Sequence, residues 1–184
     1  MGKVLDAITP EIEAWIGKQR MFFVATAPLS AQGHVNASPK GLDCLRITAP
    51  AQVAYLDATG SGAETIAHLR ENARIVLMFC AFSGPPKIVR LHGQGRVVTR
   101  ADPDWAAWCG TFPPMAAPRS VIVVDVKRVS DSCGYGVPVL EYTEDRQVLE
   151  RWVATQGAET LPAYRREKNR LSIDGLPALD EGDA

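Results

Sequence analysis

Apolar positions between about residues 20 and 130 come in short β-type runs, and helical spacing is confined to a few stretches around them. Met21–Ala27 is such a run, carrying Phe22, Phe23, Val24 and Thr26 and ended by Pro28. Ser30 to Gly33 has the composition of a hairpin turn, and His34–Lys40 reads as the returning strand, closed by Pro39 and Gly41. Leu45–Thr48 and Gln52–Asp57 are two further strands. Arg74–Phe82 is a nearly continuous apolar run, which predicts a strand buried on both faces. Lys87–Thr99 is a long strand with Gly93 and Gly95 placed where a barrel strand could bend. Ser120–Val129 is a strong strand.

Helix signals lie at both ends and in the middle. Thr9-Pro10-Glu11 is a helix start: threonine caps, proline fits the first turn and glutamate suits the positive end. Ile8, Ile12, Trp15 and Ile16 then mark one apolar face. Ser61-Gly-Ala-Glu64 has the spacing of a capping box opening a helix to about Asn72. Asp102–Cys109 is a short helix, Thr111–Pro118 a proline-rich connection, and Glu144–Gln156 and Glu159–Lys168 are helical. All four tryptophans (Trp15, Trp105, Trp108, Trp152) fall in these helical segments and read as core or interface anchors. Strands in consecutive runs with a few helices predict a mainly β (β+α) antiparallel barrel rather than a parallel βαβ sheet.

Composition narrows the function classes. The chain has 184 residues, a size suited to one domain. With 20 Lys+Arg against 21 Asp+Glu there is no basic excess to drive nucleic-acid binding. The apolar runs are too short to span a bilayer, and the first residues carry Asp6, Glu11 and Glu13, unlike a signal peptide. Cys44, Cys80, Cys109 and Cys133 form no C-x-x-C pair, so reduced cytoplasmic thiols are expected. His34, His68 and His92 lack metal-ligand spacing. Cys133, in Ser132-Cys-Gly-Tyr-Gly136, reads as a packed turn cysteine, with a nucleophilic role the lesser alternative.

Three segments carry candidate chemistry. Tyr55 to Thr65 runs from a strand through Thr59, Gly60, Ser61 and Gly62 into a helix start, where free N–H groups and the helix dipole suit a phosphate. It is neither a Walker loop nor G-x-G-x-x-G, and an ordinary capped helix is the plainer alternative. Ser38-Pro-Lys40 ends a strand, so Lys40 is either a ligand-reaching cation or a solvated turn lysine. Lys87 and Arg90 begin the long strand on opposite faces, and Arg90 shares its face with His92.

Taken in order, these segments resemble the pyridoxamine 5'-phosphate oxidase-like, FMN-binding split-barrel family. Met21–Thr26 with Gly33–Gly41 is similar to its opening hairpin. Val53–Asp57, the Thr59–Thr65 loop, the helix to Asn72 and Arg74–Phe82 are similar to its central strand–helix–strand. The resemblance covers about residues 9–130. It implies a single domain over 1–184, a six-stranded antiparallel split β-barrel with flanking helices, and 131–184 as a C-terminal helical extension.

The resemblance also implies a cytoplasmic homodimer with FMN at the interface, a small-molecule substrate, and no nucleic-acid or membrane partner. By position, Ser38 and Lys40 match the strand contacting the flavin and its phosphate. Thr59, Ser61, Gly62, Glu64 and Thr65 match the phosphate loop and helix start, and Lys87 and Arg90 match the strand near the ring or ribityl chain. The family's basic pair at the helix start is replaced by Ala63-Glu64-Thr65, its strand arginine by Val35-Asn36, and a C-terminal Arg-x-His is absent. The resemblance implies an FMN-dependent oxidoreductase acting on an unknown small molecule, and these departures point away from vitamin B6. The alternative is a non-catalytic flavin- or haem-binding split barrel.

Overall fold

The computed structural model describes residues 2–157 and 159–183. Its elements are β1 (Val4–Leu5), α1 (Pro10–Ile16), β2 (Phe22–Thr26), β3 (Asn36–Lys40), β4 (Leu45–Ala49), β5 (Gln52–Ala58), α2 (Glu64–Asn72), β6 (Arg74–Cys80), β7 (Ile88–Val98), α3 (Trp105–Cys109), β8 (Pro118–Ser132), α4 (Val148–Gln156) and α5 (Thr160–Lys168). Every strand read from the sequence is present. The short β1, which no hydrophobic pattern marks, is added through pairing with β8.

The strands form one antiparallel sheet of eight, in the order β3-β2-β6-β7-β8-β5-β4 with β1 beside β8. It is the split-barrel architecture, mainly β with flanking helices, but with eight strands where six were implied, and the sheet is not closed. Strands β3 and β4 end the order without pairing each other, so two edges remain where full closure would leave none.

Register sorts residues between the two faces of the sheet. Ser38, Val24, Leu77, Leu91 and Val129 lie opposite one another in a single row. The four apolar members are fully buried, so this row faces the core. The neighbouring row, Pro39, Phe23, Met78, Arg90 and Ser130, faces outward. Strand β6 was expected to be buried on both faces. Its burial alternates instead, with Ile75, Leu77 and Phe79 buried while Val76 and Met78 are only half-buried. The apolar run therefore gives the sheet a partly apolar outer face.

Thr9 caps α1 through its side chain, which accepts from the Ile12 N–H, and Pro10 occupies the first turn as expected. The expected bend of β7 is a register shift between His92 and Gly93. A Cβ at Gly93 would run into the Asp125 carbonyl on β8, so close approach of the two backbones requires glycine there.

The capping box does not form. Helix α2 begins at Glu64, Ala63 is its N-cap, and no side chain caps it. The Glu64 carboxylate instead accepts the Ile173 N–H, from the chain beyond α5. The C-terminal segment thus supplies the partner that local spacing assigned to Ser61. Helix α2 packs on β2, β6 and β7.

Candidate functional site

Strand β5 carries Asp57 into the interior, where it is 2% exposed. Lys40 Nζ donates to its Oδ1 at 2.8 Å, and Arg119 Nε donates to its Oδ2 at 2.7 Å. Burial alone would raise the Asp57 pKa. The Arg119 and Lys40 charges and their hydrogen bonds outweigh it and hold the carboxyl at about 2. One buried carboxylate thus balances two cations from different strands.

The loop after β5 is anchored from below. Thr59 is buried, and its hydroxyl donates to the Ala117 carbonyl while accepting Arg165 Nε at 2.9 Å. Arg119 Nη1 donates to the carbonyls of Gly60 at 3.3 Å and Gly62 at 2.7 Å. Asn169 Nδ2 also donates to the Gly60 carbonyl, at 2.8 Å. With its carbonyls taken inward, the loop leaves its amide groups unused. Among the described residues, the N–H groups from Gly60 to Ile66 donate to no protein acceptor. Free amides running into a helix start are the arrangement that suits an anion.

A second polar network ties strand β3 to α2. Asn36 Nδ2 donates to Thr65 Oγ1 at 2.9 Å and to Thr26 Oγ1 at 3.3 Å. Thr26 Oγ1 lies 2.9 Å from Nδ1 of the fully buried His68. Burial lowers the His68 pKa, against the pull of Asp174, Glu64 and Glu71. Ser38 Oγ, Tyr55 Oη and His68 Nε2 are buried without partners.

The structure distributes the nine candidate residues over three places. Thr59, Ser61, Gly62, Glu64 and Thr65 are together on the loop and helix start. Ser61 and Gly62 are exposed and Glu64 is half-buried; Thr59 and Thr65 are buried and hydrogen-bonded internally. Ser38 and Lys40 point into the barrel, and Lys40 is held by Asp57 rather than by solvent. Lys87 and Arg90 do not join the loop. Lys87 Nζ lies 5.3 Å from the Trp15 ring and 4.0 Å from Asp131, and Arg90 Nη1 donates to Ser132 at 3.1 Å on the outer face.

Sequence reasoning missed Asn36, Asp57, Arg119, Arg165 and Asn169 as site residues. Arg119 stands at the start of an apolar strand, and an arginine there is a usable signal for a buried partner. Arg165 and Asn169 lie about a hundred residues from the loop they touch, and nothing in their local sequence marks them. Among the described residues no cluster of three His, Cys, Asp or Glu side chains is placed to hold a metal ion. No described helix is long and apolar enough to cross a membrane.

An open eight-stranded antiparallel sheet with flanking helices defines a split barrel. The family model for pyridoxamine 5'-phosphate oxidase matches residues 8–133, and the chain belongs to that family. It is 37% identical over 193 residues to the pyridoxamine 5'-phosphate oxidase family protein ustO of Aspergillus flavus, covering 95% of this chain and 76% of the relative. Among solved structures it is similar to a HupZ variant of Group A Streptococcus, with a TM-score of 0.55 and 23% identity over 68% of this chain and 99% of that one. It is also similar to a candidate pyridoxamine 5'-phosphate oxidase of Lactobacillus delbrueckii, with a TM-score of 0.52 and 19% identity over 68% of this chain and 94% of that one. These two likenesses concern the fold.

Proposed function

We propose that the protein binds FMN as a homodimer and acts as an FMN-dependent oxidoreductase on a small molecule. The observation that carries this reading is the run of unpaired amides from Gly60 to Ile66, lying over the arginine side chains that hold the loop. It gives a phosphate both donors and positive charge despite the missing basic pair. The Glu64 carboxylate accepts the Ile173 N–H through Oε1 and keeps its negative charge beside Gly62, so the arginines under the loop must offset it as well as the phosphate.

The flavin supplies the redox chemistry when bound. The chain's own residues hold the phosphate at the loop, keep Asp57 ionised beneath it, and present cations for the ring. Lys87 and Arg90 are those cations in this reading. They lie away from the loop within one chain, which is consistent with a site completed across a two-fold interface. The partly apolar outer row containing Phe23 and Met78 supports such a partner. The four free cysteines agree with a cytoplasmic setting.

The test is anaerobic reduction of the flavin-loaded protein by NADH, NADPH or another donor, followed by reoxidation in air. Bleaching and recovery at a catalytically useful rate support the oxidoreductase. A bound flavin that no donor reduces points to a binder without turnover.

A further inference from the structure

The C-terminal arm reaches the loop that the proposed function gives to phosphate, and it does so with an arginine lacking a counter-ion. Arg165 on α5 is 3% exposed. Its Nε donates to Thr59 Oγ1 at 2.9 Å and its Nη2 to the Pro118 carbonyl at 3.2 Å. Among the described residues no carboxylate lies within salt-bridge distance of it. Its charged neighbours are cations. Arg100 donates to the same Pro118 carbonyl at 3.3 Å, and Arg119 holds the same loop. Burial, then Arg100, then Arg119 lower the Arg165 pKa to about 10, so it stays charged at neutral pH.

A buried, uncompensated guanidinium is costly unless an anion answers it. Of the carboxylates near the loop, Asp57 is already shared by Lys40 and Arg119, and Glu64, beside Gly62, is held by the Ile173 N–H and makes no salt bridge to Arg165. The surplus positive charge therefore collects under the loop whose amides have no acceptor. About one helical turn further on, Asn169 fixes the Gly60 carbonyl, and beyond it Asp174 grips the hairpin tip by accepting the His34 N–H at 2.8 Å.

We propose that the C-terminal arm is part of the ligand site: Arg165 and Asn169, acting with Arg119, orient the Gly60–Gly62 loop and supply the charge that selects a phosphomonoester. This deepens the proposed function and rests on it for the identity of the phosphomonoester as FMN. Arg165 and Asn169 act as positioning residues, since the loop amides make the direct contact. The positive charge that the family resemblance places at the helix start is delivered here from α5 and β8.

Two flavins separate this role from a merely structural one, because riboflavin lacks the phosphate. Affinities of the full-length chain for FMN and riboflavin are measured by flavin fluorescence quenching, for the parent, Arg165→Gln, Arg165→Lys and Asn169→Ala. The preference for FMN over riboflavin is expected to fall about 10- to 100-fold in Arg165→Gln, with riboflavin affinity little changed. Arg165→Lys retains most of the preference, and Asn169→Ala loses part of it. An unchanged FMN/riboflavin ratio in Arg165→Gln overturns the proposal. If that variant does not fold, an unchanged ratio in Asn169→Ala does so.

If the parent binds neither flavin, the FMN reading fails and the arm is judged with inorganic phosphate. A phosphate-dependent rise in the parent's melting temperature that Arg165→Gln and Asn169→Ala lose sustains the anion site. No rise in the parent overturns it.

Discussion

Lys40 and Asp57 meet across the split of the barrel, Nζ 2.8 Å from Oδ1, although their strands stand toward opposite ends of the sheet order. Arg119 grips the other carboxylate oxygen from β8. Removing the carboxylate leaves two cations facing each other in the interior. Asp57→Asn is therefore expected to destabilise the fold by about 3–5 kcal/mol. Lys40→Met, which leaves Asp57 paired with Arg119, is expected to cost about 1–3 kcal/mol. Urea unfolding of both variants checks the order; equal and negligible costs contradict the interior placement of Lys40.

The same carboxylate sets an acid limit. An unfolded Asp titrates near ~3.9, and Asp57 in the fold is held at about 2. With the folded pKa depressed, its contribution is complete above the unfolded value and is lost as pH falls through about 2. Melting temperature followed down from pH ~4 should therefore drop more steeply in the parent than in Asp57→Asn.

His68 shapes the milder range. Its pKa is lowered by burial, so the unfolded chain binds the proton more readily, near ~6.5. Its contribution is complete above that pH and declines as pH falls below it. His68→Asn, which cannot titrate, should flatten the stability profile on the acid side of pH ~6.5. A parent profile that is already flat there contradicts the neutral, buried histidine.

Gly93 is a test of the barrel's bend. Its Cβ position is occupied by the Asp125 backbone, whereas at Gly95 an added Cβ meets only side-chain atoms of Leu69 and Ile75. Gly93→Ala is expected to cost at least ~1–3 kcal/mol, and Gly95→Ala less, by chemical denaturation.

Arg90 separates ligand binding from folding. It is half-exposed on the outer face, and its side chain donates to Ser132. Arg90→Ala should leave stability within about 0.5 kcal/mol while weakening FMN binding about tenfold, if Arg90 faces the flavin. Unchanged FMN affinity removes Arg90 from the site.

Local patterning carried most of the fold. The hairpin of β2 and β3, the bend at Gly93 and the Thr9 cap were all legible because turn residues, glycine and capping chemistry act over a few positions. The glutamate at Glu64 shows the limit of that logic. Its spacing from Ser61 is right for a capping box, yet the competing donor, Ile173, arrives from over a hundred residues away. The site was legible as a loop and not as a network, since Lys40, Asp57, Arg119 and Arg165 meet only once the sheet has curled. The alternation on β6 was hidden for a related reason: a half-buried outer row uses the same apolar residues as a buried one.

FMN held by the loop and the arginines beneath it is the proposal on which the other ligand predictions depend. The most direct measurement is the visible spectrum of the purified full-length protein, with any released cofactor identified after denaturation and FMN added back to the apoprotein. A flavin spectrum, or saturable uptake of added FMN approaching one per chain, is expected. A protein that carries no flavin and takes up none, or one that carries haem instead, would contradict the proposal.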